Sequence, residues 1–134
     1  MKTFAKTLFF ILLIIQICSA QWVQQTSGIT FIGEKENNAV PTKYLLAQNY
    51  PNPFNPSTKI SWQLPVGNIA TLKIYDILGR EIITLVNEYK PAGRYETEFN
   101  AALLPSGVYL YRLSAESLDG KQNYSCAEKM ILLK

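Results

Sequence analysis

The side chains that could do chemistry are few. The chain has 134 residues and no histidine, which removes the usual general base, the triad imidazole and the commonest transition-metal ligand. The two cysteines are Cys18 and Cys126. A thiol nucleophile at Cys126 would need a polarising base, and no imidazole exists to supply one. Ten carboxylates are present, but Glu34 and Glu36 lie in a polar cluster, and Glu96 and Glu98 alternate as the wet face of one strand. Gly67, Gly79 and Gly93 stand singly, so no phosphate-cradling loop is formed. These counts predict no enzyme, no metal and no cofactor. Eight tyrosines and Trp62 could instead build a stacking platform for a carbohydrate. Trp62, however, shares its strand face with Ile60 and Leu64, which favours the core.

The remaining chemistry is processing. Lys2 and Lys6 precede the apolar run Leu8 to Ile17, and Cys18-Ser19-Ala20 supplies small residues before Gln21. This is the three-part secretory signal pattern, with Ala20 and Gln21 flanking the cut made by signal peptidase. A lipoprotein signal with Cys18 as the lipidated residue fits less well, because Gln16 and Ile17 are not small. The run is too short for a spanning helix, which needs about 20 apolar residues. Losing residues 1–20 lowers Lys plus Arg from 13 to 11 against 10 acids, a net charge of +1. Neither that value nor the +3 of the full chain suits an electrostatic nucleic-acid binder. It also leaves Cys126 as a lone thiol, read as a small buried hydrophobe in a strand-like run.

The elements that position these residues begin near residue 40. Residues 21–40 have no sustained period and read as a short linker or minimal cargo, with one strand-like run at Ile29-Thr30-Phe31-Ile32. Beyond them, glycines at 67, 79, 93, 107 and 120 punctuate the chain at intervals of 12 to 14. Between them, apolar and polar residues alternate, as at Ile60, Trp62 and Leu64, at Leu72 and Ile74, and at Tyr95, Thr97 and Phe99. Successive strand residues point to opposite faces, so each run has one wet and one buried side. The spacing predicts an all-β fold. Residues 41–134 should form an antiparallel β-sandwich of about seven strands, at roughly 43–48, 58–64, 70–76, 81–87, 94–100, 107–115 and 122–133. The runs 82–86 and 108–113 are apolar on both faces and suit central strands. Leu104 to Tyr109 has the look of a tyrosine corner.

One segment breaks the alternation. Asn49 to Thr58 carries Pro51, Pro53 and Pro56. Proline lacks a ladder donor and restricts its predecessor, so this is a stiff surface loop rather than a central strand. Phe54 is the expected apolar anchor, plugging the edge of the core.

From about Val40 to Lys134 the sequence closely resembles the type A C-terminal sorting domain of the type IX secretion system of Bacteroidota. The matching pieces are LAQNYPNPFNPSTKISWQLP at 46–65, LKIYDILGREIITLVNE at 72–88, PAGRYETEFNAALLPSGVYLYRL at 91–113 and KMILLK at 129–134. The resemblance implies an Ig-like β-sandwich and a role in protein transport. Such a protein crosses the inner membrane to the periplasm and is presented to an outer-membrane translocon. A sortase-like protease then removes the sandwich, and the product is secreted or held at the cell surface. By the same resemblance, recognition residues are Pro51, Asn52, Pro53 and Phe54 of the proline loop. Gly79 and Arg80 come from the D-x-x-G-R segment, Gly107 and Tyr109 from L-x-x-G-x-Y, and Lys129 and Lys134 from the terminal strand. Arg80, Lys129 and Lys134, being charged, are the expected direct contacts. The family usually carries a large cargo upstream, whereas here that cargo would be residues 21 to about 40. An adhesive Ig-like module, or a remnant of a larger exported protein, is the alternative.

Overall fold

The alternating runs become seven strands in the computed structural model, which describes residues 39–134. They are β1 (Leu45–Leu46), β2 (Ser57–Leu64), β3 (Asn68–Asp76), β4 (Glu81–Lys90), β5 (Gly93–Asn100), β6 (Gly107–Ser117) and β7 (Asn123–Leu132). No helix occurs among the described residues. The signal segment with Ala20 and Gln21, and the run at Ile29 to Ile32, lie outside them.

The strands form two antiparallel sheets, one ordered β1-β2-β5 and the other β4-β3-β6-β7. Period-two patterning fixes which face turns inward. Ile60, Trp62 and Leu64 of β2 meet Ala70, Leu72 and Ile74 of β3 and Tyr109, Tyr111, Leu113 and Ala115 of β6, all at 5% exposure or less. Each large apolar side chain so removed from water contributes on the order of 1.5–3 kcal/mol. A one-residue slip in any of these strands would turn its whole apolar set outward, so the register is firmly specified. On β7 the inward positions are Cys126, Met130 and Leu132, all buried, with half-buried Glu128 between them. Burial raises the Glu128 carboxyl above the ordinary range. An inward charge on an edge strand also discourages pairing with foreign strands.

One expectation needs correction. The 82–86 run is not central: β4 is an edge strand with no buried residue. Its register against β3 shifts twice, so that Leu85 and Ile82 are extra residues between Val86, Thr84, Ile83 and Glu81. These bulges twist the strand, and its apolar side chains cover the rim of the core instead of filling it. The 108–113 run, by contrast, lies in β6, between β3 and β7. Cys126 is buried, at 1% exposure.

The aromatic residues are mostly structural. Trp62 is 2% exposed, donates its indole N–H to Thr97 Oγ1 at 3.0 Å and stacks on Tyr95 at 4.5 Å. A ring buried in this way is no sugar platform.

Candidate functional site

Antiparallel connectivity gathers four segments at one end of the sandwich. The proline loop enters β2 there, the 77–80 turn joins β3 to β4, the 101–106 loop joins β5 to β6, and β7 runs out into Leu133 and Lys134. Register pairs confirm the grouping, with Ser57 opposite Asn100, Asp76 opposite Tyr109 and Gly107 opposite Leu132.

The proline loop is seated by a buried polar cluster. Asn49 is 2% exposed. Its backbone N–H donates to Tyr111 Oη at 2.8 Å, and its Nδ2 donates to Thr58 Oγ1 at 3.0 Å and to the Pro51 carbonyl at 3.1 Å. Thr58 Oγ1 donates to that same carbonyl at 2.8 Å. Tyr111 Oη in turn donates to the Ala47 carbonyl at 2.8 Å, tying one sheet to the other. Burial pushes the Tyr111 hydroxyl well above the ordinary phenol range, so it stays a neutral donor. Gln48 Nε2 donates to Asn49 Oδ1 at 2.8 Å and to the Lys129 carbonyl at 2.7 Å.

Beyond this cluster the loop turns onto the terminal strand. The peptide bonds preceding Pro51, Pro53 and Pro56 are cis. Pro51, Asn52 and Pro53 are exposed, while Phe54 is 2% exposed and its ring lies 6.1 Å from that of Phe99. Phe54 N–H donates to the Ile131 carbonyl at 2.9 Å, and Leu133 N–H donates to the Phe54 carbonyl at 3.0 Å. Asn52 Oδ1 accepts from Ile131 N–H at 3.0 Å. Three bonds therefore clamp residues 131–133 in a parallel bridge. Prolines cannot donate, so Phe54 and Asn52 supply the groups that reach β7.

The D-x-x-G-R segment is a closed turn. Asp76 Oδ1 accepts from the backbone N–H groups of Leu78 and Arg80, both at 2.9 Å, and Oδ2 accepts from Arg80 Nε at 2.6 Å. The Arg80 backbone N–H, then its guanidinium, hold the Asp76 carboxyl below the usual carboxylate range. Gly79 has φ +82°, a left-handed conformation that a side chain would strain. The Arg80 side chain is 75% exposed, yet its charge is partnered within the turn.

Tyr109 both packs and bonds. It is 5% exposed and donates its hydroxyl to the Pro105 carbonyl at 2.7 Å, which makes the tyrosine corner. Tyr95 does the same to the Pro91 carbonyl at 2.6 Å. The signal for this pair is a repeated P-x-G-x-Y, at 91–95 and 105–109, in which only the second copy was legible as a corner. Gly107 sits at the start of β6, between Pro105 and Tyr109. At the chain end, Lys134 N–H donates to Ser106 Oγ at 3.0 Å and its Nζ donates to the Ala102 carbonyl at 2.6 Å. Lys129 is exposed on β7 opposite Leu110, one rung farther from this end than the Tyr109–Met130 pair.

Sequence reasoning thus marked residues that the fold brings together, with Lys129 set farthest from this end. It missed Asn49, Thr58 and Tyr111, whose partners are up to 64 residues apart and leave no periodic signal. It also passed over Asp76, although a carboxylate four residues before an arginine, with glycine between, is a readable turn pattern.

Among solved structures the chain is similar to CopC from Methylosinus trichosporium OB3b, with 16% identity, a TM-score of 0.43, and coverage of 67% of this chain and 93% of that one. No curated protein matches the sequence. The family model for the secretion system C-terminal sorting domain matches residues 48–129, more than half of the chain and nearly all of its sandwich. On that match the chain belongs to the type IX secretion C-terminal sorting domain family.

Proposed function

We propose that the sandwich works as an address and performs no reaction. Family membership implies export, with secretion or attachment at the cell surface, and interaction with the type IX machinery. In this reading signal peptidase cuts between Ala20 and Gln21, the chain passes through the periplasm, and the outer-membrane translocon recognises the folded sandwich. A sortase-like protease then removes it. The observation that carries the reading is convergence: Pro51, Asn52, Pro53, Phe54, Gly79, Arg80, Gly107, Tyr109 and Lys134 come from four separate segments and meet at one end. Protein recognition needs such a composed surface, and the Asn49 and Phe54 bonds hold it rigid before any partner arrives, which lowers the ordering cost of binding. The adhesive alternative loses its main support with the burial of Trp62.

The test is a fusion of residues 40–134 behind a signal peptide and a reporter, expressed in type IX-competent cells. The reporter is expected outside the cell. A reporter that stays in the periplasm would show that the sandwich is not an address.

A further inference from the structure

The end that gathers the candidate residues is also unusually apolar at its surface. Leu103 is 99% exposed, Leu78 76% and Ile77 72%. Leu133 and Ile83 are also exposed at this end. Leu103 overhangs a cleft of about 420 Å³ between β4 and the 101–104 loop, lined by Ile82, Ile83, Phe99 and Leu104. Leu78 and Ile77 project from the adjoining turn, four to six residues from that wall of the cleft. Single exposed leucines are ordinary, but several around one cleft mark an interaction site.

The charges of the turn beside this rim are paired, whereas Lys134 keeps its charge. Asp76 holds Arg80 at 2.6 Å, and Glu81 holds Lys73 at 2.7 Å. Lys134 Nζ sits on the Ala102 carbonyl at 2.6 Å. The proline loop and the 101–106 loop contain no acidic or basic side chain. The surface offered outward by Leu103, Leu78 and Ile77 is therefore apolar, with Lys134 as a cation at its margin, and its complement is an apolar surface. A second copy of the chain fits poorly. The β4 edge that borders the cleft carries bulges at Ile82 and Leu85, which interrupt the straight ladder that two paired edges would need.

We propose that the rim formed by Leu103, Leu78 and Ile77 over this cleft is the contact by which an apolar surface of the type IX translocon holds the sandwich. The inference rests on the address reading above. The charged candidates Arg80 and Lys134 then serve to fix the turn and the chain end that present the leucines. Leu103 and Leu78 are positioned by backbone, since Asp76 Oδ1 holds the Leu78 N–H at 2.9 Å and Ala101 N–H donates to the Pro56 carbonyl at 2.8 Å.

The experiment uses the full chain in type IX-competent cells and reads the exported fraction of wild type, Leu78→Ser/Leu103→Ser and Leu118→Ser. Leu118 is 72% exposed in the β6–β7 turn at the opposite end and controls for loss of any surface leucine. Thermal melts of the purified chains check folding. Should the double variant melt early, Leu103→Ser alone carries the test, because its side chain touches little. The expected result is a fall in export of about tenfold or more for the rim variant, the factor that about 1.4 kcal/mol of lost contact gives, with Leu118→Ser exported as wild type. Folded rim variants exported as wild type would overturn the proposal, as would an equal loss for Leu118→Ser. A wild-type chain that sediments as a dimer, with monomeric rim variants, would assign the rim to a second copy and also overturn it. Failure of wild type to leave the cell would instead remove the address reading, and the rim proposal with it.

Discussion

Replacing Tyr111 by phenylalanine deletes one oxygen and nothing else. The ring is fully buried and would remain in place. The lost hydroxyl donates to the Ala47 carbonyl and accepts from Asn49 N–H, each at 2.8 Å. A typical hydrogen bond contributes about 1 kcal/mol net, and a buried donor left without a partner costs about 1–3 kcal/mol. Asn49 is 2% exposed, so water cannot replace the lost acceptor. The combined destabilisation is then about 2–3 kcal/mol. For a sandwich of this size each kcal/mol lowers Tm by about 4–8 °C, so a fall of about 10–20 °C is expected. The matched control is Tyr95→Phe, whose hydroxyl bonds to the exposed Pro91. There water takes over, and the loss should stay below about 1 kcal/mol. Urea unfolding of the two variants, with m-values compared, measures the difference. A Tyr111→Phe variant no less stable than Tyr95→Phe would refute the claim that this hydroxyl joins the sheets and seats the proline loop.

Phe54→Ala empties a fully enclosed site and should cost about 3–5 kcal/mol by denaturant unfolding, with residues 131–133 losing amide exchange protection first. Gly79→Ala meets no neighbouring atom within 4 Å, so only the +82° backbone opposes it, at about 1–2 kcal/mol in the same assay. The native Asp76 carboxyl titrates below its ordinary value, so its contribution to stability is present above that value and disappears as pH falls through the native one. The gap in urea midpoint between wild type and Asp76→Asn should therefore narrow on going from pH 7 to about pH 2. A gap that stays constant would mean that the carboxylate charge is not what closes the turn.

Much of the fold was legible because alternation reports directly on which face is buried. The run Ile60, Trp62, Leu64 and the glycine spacing placed β2 to β7 within a few residues. The β4 run was misplaced because Ile82 to Val86 is apolar on both faces, and such a run reads alike for a central strand and for a bulged edge. Bulges depend on pairing, which a single strand does not display. The proline loop was legible as stiff and anchored by Phe54, but its clamp on Ile131 and Leu133 was not. That clamp joins residues nearly 80 apart through backbone groups that carry no sequence signature. Arg80 read as an outward charge, while its guanidinium is engaged by Asp76 within the same turn. Asn49 and Thr58 looked like loop residues and proved to be the buried polar base of the loop.

The most direct measurement of the central claim is localisation of the full 134-residue chain in type IX-competent cells and in an otherwise identical translocon-deficient strain. Mass spectrometry of periplasm, surface and medium would give the distribution. The address account predicts peptides of this chain at the surface or in the medium of competent cells only, with accumulation in the periplasm of the deficient strain. An identical distribution in the two strains would contradict it.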